Sequence, residues 1–221
     1  MGIRLEVAED AERAAAIAAA RIAAAIAAAP PGRVHVALSG GSTPMPMFRA
    51  LAATDALRWS DLELWQVDER LGAAGEDRNA TALAASGLVV RAAVFHPMDV
   101  DATDPDEAAR AYAAALPPRL AVVHLGLGDD GHTASLVPGD PVAAIRDRAV
   151  AVTVPYRGFR RLTLTAPVLE EADLAVFLVL GATKADAVAR LLATDTSIPA
   201  GALRFRDAVV VADRSAAGDR D

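Results

Sequence analysis

Hydrophobic and polar positions along this chain fall into two alternating rhythms. Short, nearly continuous apolar runs occur at 34–38, 62–67, 120–125, 174–180 and 209–212. Their length and the turn residues around them mark them as strands buried on both faces. Between them lie segments with helical spacing. The Ala-rich stretch 14–29 directs Ile17, Ile22 and Ile26 inward, and Pro30-Pro31-Gly32 stops it. Further helices are predicted near 45–53, at 79–85 with Asn79 as the cap, at 104–116 starting from Asp104 or Asp106, and at 183–193. Segments 149–154 and 161–165 read as extended. Strands alternating with helices predict an α/β fold, a doubly wound, mainly parallel sheet with helices on both faces. No repeat or linker divides the chain. Residues 1–221 are therefore expected to form a single domain, with 1–4 and 214–221 as loose ends.

Composition narrows the function classes. Hydrophobic residues make up 53% of the chain, enough for a sizeable core. The absence of cysteine removes disulfides, thiolate nucleophiles and Cys-based metal sites. A net charge of -7 argues against a nucleic-acid partner, so an anionic ligand has to be met by locally placed cations. The Ala-rich stretch follows Glu6, Glu9, Asp10 and Glu12, not a basic leader, and Arg21 interrupts it. The expectation is a cytoplasmic protein without a membrane partner. All but one of the 22 basic residues are arginine, and the exception is Lys184. A lone lysine in an arginine-rich chain suggests a position that needs a compact ammonium.

In doubly wound sheets, ligands bind beyond the carboxyl ends of the strands. Each polar cluster of this chain follows a strand: Ser39-Gly40-Gly41-Ser42-Thr43-Pro44, Asp68-Glu69-Arg70, residues 126–133, and Gly181-Ala182-Thr183-Lys184. That shared placement predicts one site. In the first cluster, glycines, hydroxyls and helix-start amides suit a phosphate, although a plain capped turn has the same composition. Residues Gly126 to Gly131 match a dinucleotide-binding spacing, but Asp129 and Asp130 would sit where a pyrophosphate needs amides. His35 and His124 lie in strands, where a satisfied packing role is expected, and His96 precedes Pro97 without chemical neighbours. His132 is different. It sits beside carboxylates able to set its tautomer, as a general base requires. Asp68 with Arg70 reads as a carboxylate for hydroxyls and a cation for an anion, or as a surface ion pair. Lys184 opens a helix, which suits a phosphate, or is simply solvated. No metal site is expected, because Asp129, Asp130 and His132 have no paired-histidine spacing around them.

Taken in order, Leu38–Pro44, Asp68-Glu69-Arg70 with Asn79 downstream, Gly126–Gly139, Arg161–Thr165 and Gly181–Lys184 make the chain resemble the 6-phosphogluconolactonases over roughly residues 5–212. The resemblance implies the fold shared with glucosamine-6-phosphate deaminases and ribose-5-phosphate isomerases. It implies hydrolysis of 6-phospho-D-glucono-1,5-lactone in the oxidative pentose phosphate pathway, without a cofactor. It makes His132 the catalytic base and Asp68 an active-site carboxylate. Arg70, Arg161 and Lys184 fall at basic positions, and Ser39, Gly40, Gly41, Ser42 and Thr43 form a loop lining the pocket. Asn79, Gly128, Asp130 and Gly131 join the substrate-binding set, with loop amides around Gly128–Gly131 or an arginine stabilising the oxyanion. Two positions depart from the family pattern: Asp129 replaces a glutamate and Arg78 a serine. A deaminase would carry a glutamate five residues after the loop histidine, where this chain has Val137. The alternatives left open are deaminase-like chemistry and a non-catalytic sugar-phosphate binder. A monomer or small homo-oligomer is expected.

Overall fold

The structure, a computed structural model, describes residues 2–218. In chain order its strands are β1 (Ile3–Ala8), β2 (Val34–Leu38), β3 (Leu62–Gln66), β4 (Asp68–Arg70), β5 (Val94–His96), β6 (Val122–Leu125), β7 (Val150–Val152), β8 (Arg161–Leu164), β9 (Leu174–Val179) and β10 (Ala208–Asp213). The α-helices are α1 (Ala11–Ala28), α2 (Met45–Ala52), α3 (Asn79–Ala85), α4 (Leu88–Arg91), α5 (Pro105–Ala115), α6 (Ala166–Glu171), α7 (Ala185–Leu192), α8 (Pro199–Ala202) and α9 (Arg214–Ala217). Seven strands pair in the order β1-β10-β9-β6-β2-β3-β5, and every pairing is parallel.

Strand alternation explains why the five predicted runs read as continuously apolar. Along β9, Ala175, Phe177 and Val179 enter one core while Val176 and Leu178 enter the other. The same period-two split divides Val122 from Val123 in β6 and Val209 from Val210 in β10. One face is covered by α1 to α4, the other by α5 to α9 together with a small second sheet. Large side chains such as Phe48, Trp65 and Phe177 are buried, each worth about 1.5–3 kcal/mol in area removed from water. Helix α1 starts at Asp10, whose carboxylate accepts from the Arg13 amide at 2.7 Å. Its buried stripe is mostly alanine with Ile22 and Ile26, which brings the helix axis close to the sheet, while Ile17 is only partly buried. Among the described residues, no helix is long and apolar enough to cross a membrane.

The second sheet, in the order β4-β8-β7, is antiparallel. Asp68–Arg70, read from sequence as the polar end of the preceding strand, forms a separate strand at an edge of this sheet. The link between the sheets is Val67. Its amide donates to Leu38 O at 3.1 Å in the large sheet, and its carbonyl accepts from Leu164 N at 2.8 Å in the small one.

Two further expectations need correction. The ends are not loose where they are described. Ile3 and Arg4 belong to β1, which pairs with β10, and Arg214–Ala217 form a helical turn with Ala216 and Ala217 buried. Asp213 fastens that turn, accepting from Ala216 N at 2.7 Å and from Gly181 N at 3.1 Å. Residues 1 and 219–221 of the expected loose ends lie outside the described residues. Nor does Asn79 cap α3. Arg78 holds the extended cap position, and the buried Glu69 carboxylate accepts from the amides of Asn79 and Ala80, each at 2.8 Å. With its amide satisfied this way, the Asn79 side chain can serve elsewhere.

Candidate active site

At the carboxyl ends of the central strands, the Ser39–Thr43 loop after β2, the strand β4, the 126–135 loop after β6, the start of β8 and Lys184 after β9 surround a cavity of about 270 Å³. Of the residues predicted from sequence, Ser39, Gly40, Gly41, Asp68, Arg70, Asn79, Gly128, His132, Arg161 and Lys184 line it. Ser42 and Thr43 do not. After Gly41, with φ 105°, the chain turns outward and both are exposed. Thr43 lines a smaller adjoining cavity of about 160 Å³, which also reaches Lys184. Asp130 and Gly131 stand behind the lining, as supports.

The loop after β6 is built around one histidine. Asp130 Oδ1 accepts from the His132 amide at 3.1 Å and meets His132 Nδ1 at 2.6 Å. Burial would raise the Asp130 carboxyl, but the His132 amide and ring and the Tyr156 hydroxyl outweigh it and bring it down to about 2. An ionised carboxylate only accepts, so Nδ1 carries a proton and the other ring nitrogen, Nε2, is the one that can act as a base. Gly128 makes this possible: a Cβ there would stand 2.0 Å from His132 Nδ1 and 2.5 Å from Asp130 Oδ1. The loop amides suit the oxyanion role less well than expected. Gly128 N donates to His132 O at 2.8 Å and Gly131 N to Gly128 O at 3.0 Å, so both are already used.

The β4 side presents Asp68 and two arginines. Ser135 Oγ donates to Asp68 Oδ2 at 2.6 Å, and Asn79 Nδ2 donates to Asp68 O at 2.9 Å. Gly40 packs so closely here that a Cβ would lie 2.4 Å from the Asn79 Cβ, which ties the loop after β2 to this side. Burial pushes the Asp68 carboxyl up, although Ser135 and Arg161 pull against it. Arg70 and Arg161 are register partners across β4 and β8. Arg70 donates to the Asp77 carbonyl. Arg161 is 7% exposed, and among the described residues its guanidinium makes no hydrogen bond or ion pair. Its contact is the Tyr156 ring, 5.2 Å from the guanidinium carbon. Lys184 Nζ lies 4.0 Å from Asp129, a weak pairing across a partly exposed gap. Among the described residues the amides of Gly40, Gly41 and Ser42 have no main-chain acceptor, and the buried Ser39 hydroxyl has no partner.

Sequence reasoning missed Ser135, Tyr156 and Arg157, all of which line the cavity. Of the four histidines, only His132 lines this cavity. His96 stacks on Trp65 at 3.7 Å and bonds Glu63 at 2.8 Å, while His35 accepts from Trp65 Nε1 at 3.2 Å. His124 is buried with neither ring nitrogen partnered, so its packing role is not a satisfied one. Val137 is buried, an apolar side chain at the position a deaminase would give to glutamate. Among the described residues, no group of three or more His, Asp or Glu side chains converges as metal ligands would.

Comparison with known proteins adds independent findings. The family model described as glucosamine-6-phosphate isomerases/6-phosphogluconolactonase matches residues 8–211. A 6-phosphogluconolactonase of Synechocystis sp. is 36% identical over 198 residues, covering 83% of this chain and 81% of the relative. Among solved structures, a 6-phosphogluconolactonase from Trypanosoma brucei superimposes with a TM-score of 0.84 at 25% identity, covering 97% of each chain. A monomeric glucosamine-6-phosphate deaminase superimposes with a TM-score of 0.86 at 21% identity, over 99% of this chain and 100% of that one, a likeness of fold alone.

Proposed function

Because the chain belongs to the glucosamine-6-phosphate isomerase/6-phosphogluconolactonase family, we propose that its cavity hydrolyses a sugar-phosphate lactone by general-base attack of water. The enzyme is a 6-phosphogluconolactonase, converting 6-phospho-D-glucono-1,5-lactone to 6-phosphogluconate in the pentose phosphate pathway. One observation carries the mechanism. A histidine whose ring Nδ1 meets an ionised carboxylate shares a cavity with two cations held only loosely by carboxylates. They are Arg161, which makes no hydrogen bond or ion pair among the described residues, and Lys184, 4.0 Å from Asp129.

Lys184 and the amides of Gly40 and Gly41 take the phosphate, since compact positive charge and unspent donors line the same cavity. Asp68 accepts from substrate hydroxyls. His132 Nε2 removes a proton from water as the water oxygen bonds to C1, and the C1 carbonyl becomes an oxyanion. With the Gly128 and Gly131 amides engaged, that charge falls to the guanidinium pair Arg161 and Arg70. A buried cation such as Arg161 stabilises a developing charge more than an exposed one does. The tetrahedral intermediate then collapses, the C1 to ring-oxygen bond breaks, and His132 returns its proton to the leaving oxygen. General-base help of this kind contributes typically ~10²–10⁴-fold.

The test generates 6-phosphoglucono-δ-lactone in situ and follows product through coupled 6-phosphogluconate dehydrogenase. An acceleration above spontaneous hydrolysis, proportional to enzyme, is expected. Folded protein with no acceleration would sink the lactonase reading and favour a non-catalytic sugar-phosphate binder.

A further inference from the structure

The hairpin that follows β7 lines the cavity through Tyr156 and Arg157 and touches both the His132 loop and the two arginines. Tyr156 and Phe159 pair as an isolated bridge, with Tyr156 N donating to Phe159 O at 2.9 Å and Phe159 N to Tyr156 O at 3.2 Å. Between them Arg157 (φ 48°) and Gly158 (φ 86°) are both left-handed, the two-residue turn whose twist suits a tight hairpin. The turn fixes where Tyr156 points. Its hydroxyl donates to Asp130 Oδ2 at 2.9 Å, the carboxylate oxygen that His132 does not use. Its ring edge meets the His132 ring at 5.6 Å between centroids, and its face lies under Arg161. On the same hairpin, Phe159 sits 6.0 Å from the Arg70 guanidinium carbon and Arg157 lies 3.6 Å from Asp129.

We infer that Tyr156 is a positioning residue, the third member of a His132–Asp130–Tyr156 chain that fixes the plane of the Asp130 carboxylate and so the direction of His132 Nε2. Without the hydroxyl, Asp130 is held only through Oδ1, by the two nitrogens of His132, and is free to rotate about that contact. Misplacement of a base by a fraction of an ångström is costly, because the proton transfer requires alignment with an attacking water. The hydroxyl is chemically suited to this role, since burial and the neighbouring carboxylate push Tyr156 up and keep it a donor across the working pH range. The contact is also economical in chain, since one hairpin serves the base and the guanidinium pair together. The role rests on the lactonase reading for its kinetic consequence but not for its geometry.

The test is Tyr156→Phe, which keeps the ring over Arg161 and removes only the hydroxyl. In the lactone assay kcat should fall about tenfold, the scale of one hydrogen bond to a charged group, with KM within about twofold. The acid limb of the kcat profile should move to higher pH, because a carboxylate that shares less of its charge stabilises imidazolium more. The downfield NMR signal of the His132 Nδ1 proton in the free protein should shift as well. In an Asp130→Asn background, Tyr156→Phe should add less than about twofold, since its effect passes through Asp130. Wild-type kcat and pH profile in Tyr156→Phe would overturn the inference. So would an unmoved Nδ1 signal, or fully additive losses in the double variant. If the wild-type protein accelerates nothing, the lactonase reading fails while the NMR comparison still decides the role of Tyr156.

Discussion

Asp130 and Asp68 serve the same cavity from different walls, and their surroundings set them apart. Asp130, on the loop after β6, collects three donors: the His132 amide and ring and the Tyr156 hydroxyl. These bring its carboxyl down to about 2 in spite of burial. Asp68, at the start of β4, has one strong hydroxyl donor in Ser135, and burial dominates and pushes it up. One wall therefore holds a permanent negative charge that steers a proton on imidazole. The other holds a carboxyl that is costly to ionise until something positive or hydrogen-bonding comes near. Identical side chains acquire different ionisation from their donors and their burial, a pattern common where acid-base work is divided between carboxylates.

That contrast is broken most completely on the loop wall. His132→Ala should lower kcat by about 10²–10⁴-fold with little change in KM, read in the coupled lactone assay. Gly128→Ala leaves every catalytic group in the sequence but places a methyl against His132 Nδ1 and Asp130 Oδ1. A kcat loss of about 10²-fold with retained circular dichroism is expected, and near-normal turnover would show that the pair can shift without harm. On the β4 wall the effects should be smaller and of another kind. Asp68→Asn should lower kcat/KM about tenfold, mostly through KM. It should also raise Tm at neutral pH. The folded carboxyl lies above its unfolded value, so ionisation costs stability as pH rises through the ordinary range near 3.8, and the amide removes that cost. A lower Tm would mean that Ser135 and Asn79 already offset the burial.

The mildest prediction lies outside both walls. Buried His124 is pushed down to about 3 by loss of hydration. The unfolded chain binds a proton at this residue below about 6.5 and the folded chain does not, so stability should fall as pH drops from there toward 3. The slope from this residue is at most ~1.4 kcal/mol per pH unit. His124→Leu should flatten that slope in acid titrations followed by fluorescence, and leave the neutral-pH kcat as it was.

Five of the seven strands of the large sheet were legible because each is an apolar run bounded by turn residues. The clusters that follow them were legible because parallel sheets gather such loops at one end. His132 stood out for the same reason, with Asp130 two residues away in sequence. What stayed hidden depends on contacts between distant segments. Strand β1 forms only by pairing with β10, and β5 is three residues at a sheet edge. The Asp68–Arg70 segment reads as the polar end of β3 until β8 lies beside it. Glu69 caps α3 across ten residues, a role the local pattern assigns to Asn79. Tyr156 is 26 residues from Asp130, in a Pro-Tyr-Arg-Gly turn whose composition signals a bend and nothing of what its aromatic ring reaches.

Val67, bonded through its amide to Leu38 and through its carbonyl to Leu164, has a kinetic consequence. A residue that belongs to both sheets cannot release one of them alone. The amides of Val67 and Leu164 should therefore exchange with deuterium only in the rare moments when the whole structure opens, and at matching rates. Asp68 follows Val67 directly. The placement of Asp68 against the large sheet, beyond whose β6 the His132 loop begins, is then reset only by complete unfolding.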